Sequence, residues 1–187
     1  MISLGVLLMI VVLGMTGFYI WSQQTYDASE ELTSYVNVND IKTENNWLVF
    51  EPKAQPKGGI ILYPGAKVEP EAYSYYAQGL ADNDYLVIVP KVTLNFALLD
   101  INQADVIMDE FSDITNWYIG GHSLGGVAAA TYAYDNLKDI QGLILLASYP
   151  SNSSDFSEPD LPTLSLYAEF DGLTTTEKIN DTKHLLS

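Results

Sequence analysis

Ser123 sits in Gly121-His122-Ser123-Leu124-Gly125-Gly126, a Gly-x-Ser-x-Gly spacing. A serine at the apex of a sharp strand-to-helix turn presents its Oγ for attack on a carbonyl carbon. Glycines two positions to either side leave room for such a turn. The flanks match this need: Asn116-Trp117-Tyr118-Ile119-Gly120 reads as a short apolar strand, and Val127 to Ala133 as a small-residue helix. Backbone N–H groups at the start of that helix point to where negative charge would develop. The competing reading is a serine that only caps the helix. A strand before it and a helix after it favour the nucleophile.

A serine nucleophile needs a base to take its proton and an acid to orient the base. Asp171 is the leading acid candidate, because it directly follows the predicted strand Thr163 to Ala168 in Glu169-Phe170-Asp171-Gly172. It competes with an ordinary Asp-Gly turn, and Glu169, Asp155 and Asp160 are weaker alternatives. An oxyanion hole takes one backbone N–H from the residue after the nucleophile and one from an earlier strand-to-helix loop. These are Leu124 and, in the loop Tyr63 to Pro70 where Gly65 and Ala66 are small, Ala66. Lys67 in that loop reads as a solvated lysine. Neither histidine suits the base. His122 adjoins the serine, so its side chain points elsewhere and reads as a packing or hydrogen-bonding group. His184 falls in a predicted helix near the end of the sequence and reads as exposed.

Composition narrows the chemistry further. The 187 residues include no cysteine, which excludes disulfides, thiolate catalysis and cysteine-based zinc sites. Two histidines and no His-Glu-x-x-His pattern argue against a metal, and no cofactor is expected. A net charge of −16 spread along the chain argues against nucleic acid, whose binding needs clustered Lys and Arg. The expected partner is a small-molecule acyl ester.

Three segments follow from the pattern of the chain. Residues 1–21 carry no charged side chain from Ile2 to Trp21, enough at ~1.5 Å per residue to cross a ~30 Å hydrocarbon layer. Tyr19 and Trp21 mark one end of this run as an interface. The segment reads as an uncleaved membrane anchor in preference to a cleaved signal or a core helix, with the globular part outside the cytoplasm. Residues 22–44 read as a polar, acidic stalk, and 45–187 as a globular domain. In that domain Trp47 to Pro52, Gly58 to Pro64, Tyr85 to Pro90, Gly142 to Ala147 and Thr163 to Ala168 read as strands. Helices are expected over Pro70 to Ala81, Ala97 to Phe111 and Thr174 to Leu186. Continuous apolar strands alternating with helices predict an α/β layered domain with a largely parallel sheet.

The residues resemble the α/β-hydrolase superfamily, and more narrowly its bacterial dienelactone-hydrolase-like branch, α/β-hydrolase family 5. The likeness spans about Trp47 to Leu186. It rests on Leu62 to Tyr73, on Gly121 to Gly126 and on Asp171-Gly172. It implies an α/β-hydrolase fold, Ser123 as nucleophile, Asp171 as triad acid and Gly65-Ala66 as the oxyanion loop, with hydrolysis of esters or related acyl groups. Such proteins continue into a further strand, a loop bearing the catalytic histidine and a last helix. Nothing in this sequence matches that continuation, so the domain is expected to be incomplete at its C-terminus.

Overall fold

The computed structural model describes residues 3–37 and 41–186. Positions 1–2 of the expected anchor, 38–40 of the expected stalk and 187 of the expected domain lie outside these. The framework is a seven-stranded sheet built on apolar runs. Its strands are Lys42–Glu44 (β1), Trp47–Phe50 (β2), Gly58–Tyr63 (β3), Tyr85–Pro90 (β4), Trp117–His122 (β5), Ile140–Leu146 (β6) and Thr163–Leu166 (β7), in the order β1-β2-β4-β3-β5-β6-β7. Strands β3 to β7 are mutually parallel, and the β1–β2 hairpin adds antiparallel to β4.

Both faces of the sheet are covered, as an α/β architecture requires. Ile61, Tyr63, Ile88 and Ile119 bury one face against Gln103–Glu110 (α3) and Leu124–Asp135 (α4). Ile60, Leu62, Val87 and Val89 bury the other beneath Ser74–Ala81 (α2). Each such aliphatic side chain contributes about 1.5–3 kcal/mol on leaving water. The fold is an α/β-hydrolase fold.

Three predicted helices are shorter than the sequence pattern implied. Pro70–Tyr73 forms a tight 3-10 turn before α2. Ala97–Leu99 is another such turn, and Asp100 leaves helical geometry before α3 begins at Gln103. The interruption has a cause in Tyr63, whose Oη donates to the Ile101 carbonyl (2.6 Å) and accepts the Ala104 N–H (3.1 Å). Near the end, Thr176–Thr182 (α5) is capped by Thr175 and passes into a 3-10 turn at Lys183–Leu185.

The expected stalk lies against the domain instead of standing off from it. Leu32 and Val36, four residues apart, are buried. Tyr26 bridges to Val68 in parallel fashion. Residues 42–44 are already sheet, because Asn45 (φ 48°) and Asn46 (φ 68°) supply the two left-handed positions of a tight hairpin. Ahead of all this, Leu4–Ser22 (α1) is a helix of 19 residues with a mean hydropathy of 2.2, long and apolar enough to cross a membrane by length and composition.

Candidate active site

Strand β5 runs into α4 through Ser123, whose backbone adopts φ 51° and ψ −121°. A non-glycine residue there stores about 1–3 kcal/mol of strain and persists only where neighbours over-determine it. They do so here. The Ser123 N–H donates to the Leu146 carbonyl (3.0 Å) at the end of β6, and the buried Ser148 Oγ donates to the Ser123 carbonyl (2.7 Å). A Cβ on Gly121 would sit 2.3 Å from the Gly125 backbone, and one on Gly125 would sit 2.4 Å from the carbonyl oxygens of Tyr63 and Pro64. The glycines are therefore required for α4 to start against the end of β3. The Ser123 side chain makes no capping bond to α4 and is partly exposed, contrary to the capping alternative.

That close approach brings the Tyr63 to Pro70 loop beside the serine. Tyr73 fixes it: its Oη accepts the Gly65 N–H (2.8 Å, buried) and pairs with His122 Nδ1 (2.9 Å). The Tyr73 hydroxyl, with one proton and a second lone pair besides the one that takes the Gly65 N–H, pairs with His122 Nδ1 in either tautomer. Burial pushes Tyr73 up to about 12, against the Gly65 hydrogen bond. Burial also pulls His122 below its ordinary 6.5, partly opposed by Asp171. The histidine is thus a neutral, hydrogen-bonded part of the wall. Among the described residues the backbone N–H groups of Ala66 and Leu124 make no hydrogen bond. Lys67 is not simply solvated: at φ 60° it holds Nζ 4.2 Å over the Trp21 ring.

Asp171 follows β7 on the same carboxyl edge of the sheet. Its Oδ1 accepts the N–H groups of Leu173 (2.8 Å) and Thr174 (2.9 Å), which hold the carboxyl below its ordinary 3.8, helped by His122 and Lys178. Thr174 Oγ1 donates to the Ala147 carbonyl (2.9 Å), tying this loop to the end of β6. Asp155 is instead engaged by Ser157, with His184 nearby, and Glu169 and Asp160 are exposed. His184 is exposed and pairs through Nδ1 with the Asp181 carbonyl (2.8 Å). Neither histidine is hydrogen-bonded to Ser123 among the described residues.

A groove of about 470 Å³ opens between the Tyr73 wall and the ends of β6 and β7, lined by Tyr73, Tyr76, His122, Leu146, Ala147 and Leu166. Its size and mostly apolar wall suit an acyl chain or small ester. No cluster of three or more His, Asp or Glu side chains among the described residues could hold a metal. Sequence reasoning assigned no role to Tyr73 or Ser148. Tyr73 looked like one tyrosine among several in a helix, and Ser148 like a loop residue; only the fold brings them to Gly65 and Ser123.

The sequence profile of the Alpha/beta hydrolase family matches residues 59–187. Among solved structures, an α/β hydrolase from the metagenome of Mar Chica lagoon sediments, Morocco, aligns over 78% of this chain and 83% of its own at 16% identity, with a TM-score of 0.61. A probable hydrolytic enzyme from Pseudomonas aeruginosa PAO1 aligns at 20% identity over 62% of this chain and 42% of its own, TM-score 0.47. A thermostable carboxyl esterase from Bacillus coagulans aligns at 14% identity over 58% and 43%, also with a TM-score of 0.47. The chain spans less than half the length of these last two. No curated protein matches. The family match runs from the second residue of β3 through the elbow and the Asp171 loop, and on that ground the chain belongs to the alpha/beta hydrolase family.

Proposed function

We propose that the chain is a membrane-anchored serine hydrolase that acts on carboxylic esters or related acyl groups, with α1 as the anchor. The observation that carries this reading is a strained serine whose side chain makes no cap bond, near two backbone N–H groups without a partner among the described residues. Ser123 Oγ adds to the ester carbonyl and its proton passes to a base. The tetrahedral oxyanion lies between the N–H groups of Ala66 and Leu124, and preorganised donors of this kind each lower the barrier by about 3–4 kcal/mol. The alcohol leaves with a proton, and water then releases the acid from the acyl-serine. Asp171 is the acid of the triad, kept ionised by the Leu173 and Thr174 N–H groups. The base is the one part that neither His122 nor His184 supplies among the described residues, since neither is hydrogen-bonded to Ser123.

That last observation favours a second reading, a non-catalytic hydrolase-like domain that binds an acyl group in the groove. A fluorophosphonate probe separates the two. The full chain in detergent is treated at mildly alkaline pH with and without added imidazole, which replaces a missing base. The hydrolase reading predicts labelling that vanishes in Ser123→Ala. Absence of labelling even with imidazole supports the binding domain and defeats the hydrolase.

A further inference from the structure

The helix α1 joins the domain without a spacer, and it joins at the catalytic edge. The carbonyl of Ser22, its last residue, accepts from Asn95 Nδ2 (2.9 Å) in the loop after β4. Phe96 of that loop stacks on both Phe18 and Trp21, with ring centroids 5.9 Å apart in each case. Lys67 covers the other contact of Trp21 and donates its N–H to the Asn95 carbonyl (2.9 Å). Immediately beyond the helix, the Tyr26 N–H donates to the Lys67 carbonyl (2.6 Å), its carbonyl accepts the Glu69 N–H (3.0 Å), and Thr25 Oγ1 donates to Glu69 (2.5 Å). The first residues past the apolar helix are thus bound along the loop that contains Ala66.

The rest of this edge is apolar where it is free. Phe170 and Leu173, flanking Asp171, are 92% and 80% exposed, and Leu98 and Leu99 after β4 are exposed as well. Loops after β4 and β7 stand about 19 Å apart at ~4.8 Å per strand, so these side chains bracket Ser123. Four of the carboxylates at this edge are already engaged: Asp100 by Thr93, Glu69 by Thr25, Glu71 by Lys91 and Asp171 by Leu173 and Thr174. Burying a side chain as large as Phe170 or Leu173 in an apolar layer is favourable. Among the described residues both stay largely open to water.

We infer that the carboxyl edge of the sheet docks in the headgroup layer of a bilayer, so that Ser123 and the groove beside His122 open at the lipid surface. This rests on reading α1 as an anchor. A zwitterionic surface is the fitting one, because a net charge of −16 opposes approach to anionic lipid. An ester carried by a membrane amphiphile then reaches the serine by moving along the interface.

The absence of cysteine allows a direct test. Phe170→Cys and Leu173→Cys are introduced singly into the full chain, both at exposed positions where folding is not at stake. Lys138→Cys, exposed before β6 on the opposite edge, is the control. Each carries a polarity-sensitive dye and is reconstituted into phosphatidylcholine vesicles with bromines high on the acyl chains, and vesicle-bound protein is collected by flotation. Docked side chains reach ~5–10 Å into the boundary and lose roughly half their emission to the bromines, while the Lys138→Cys dye keeps its own. Floating protein with no quenching at 170 and 173, or with equal quenching at 138, overturns the docking and leaves the anchor standing. Protein that fails to float overturns both.

Discussion

Replacing Tyr73 by Phe removes one oxygen and tests whether that oxygen holds the Gly65-Ala66 loop. The ring stays and its packing is unchanged, so the cost comes from hydrogen bonds alone. The Gly65 N–H is left without a partner in a buried position. A stranded buried donor costs about 1–3 kcal/mol. His122 Nδ1 also loses its partner, but the histidine lines an open groove that water reaches, so its loss adds little. The sum is about 2 kcal/mol, which for a chain of this length corresponds to a fall of ~4–8 °C in melting temperature. Urea unfolding in non-ionic detergent, followed by the buried Trp47 and Trp117, reads the difference. The rate of fluorophosphonate labelling at Ser123 should fall in parallel, because Ala66 adjoins the loosened Gly65. A cycle with His122→Phe should show coupling of at least about 0.5 kcal/mol, as for residues in one network. A loss below about 0.5 kcal/mol in Tyr73→Phe, the size of an ordinary surface substitution, would refute the reasoning.

Ser123→Gly should abolish labelling and yet stabilise the protein. Release of about 1–3 kcal/mol of strain outweighs the ~0.5–1 kcal/mol entropic cost of glycine, for a net gain of about 1 kcal/mol by urea unfolding; unchanged or lower stability would mean that the turn is relaxed. Stability should also fall in acid in two stages. His122 titrates below 6.5 when folded, so its contribution is full above pH 6.5 and is lost as pH drops from there through the lower folded value. Asp171 is held below 3.8, so its share is full above pH 3.8 and is lost on falling through its own folded value. Thermal melts from neutral pH downward show both stages, and His122→Gln should remove the upper one while leaving the lower.

The parts of this molecule that could be read in advance are those whose signal is local. Gly58 to Tyr63 and Tyr85 to Pro90 are apolar at every position, and only a strand buried on both faces suits such a run. The elbow declares itself because crowding at one turn demands glycines at fixed offsets. The β1 strand was missed because Lys42-Thr43-Glu44 is polar and exposed on an edge; Asn45-Asn46, two residues that tolerate positive φ, was its only local mark. Leu32 and Val36 gave a faint apolar spacing inside an acidic segment, too sparse to announce a docked one. Roles set by distant partners left no pattern at all. Tyr63 interrupts a predicted helix about forty residues away, Tyr73 holds a loop glycine and a histidine at the end of β5, and Ser148 props the serine from the loop after β6. Lys67 looked solvated because its ring partner, Trp21, belongs to a segment read as a separate element.

The stacking of Phe96 on α1 bears on what proteolytic processing would do to this chain. A cut after Trp21 would take away both rings against which Phe96 rests and the surface beneath the Lys67 ammonium. Lys67 and Asn95, which both carry positive φ, would then be held by fewer neighbours. The released domain would therefore not be the same domain minus a helix: the Tyr63 to Pro70 loop would be looser, and cleavage would change the carboxyl edge of the sheet itself.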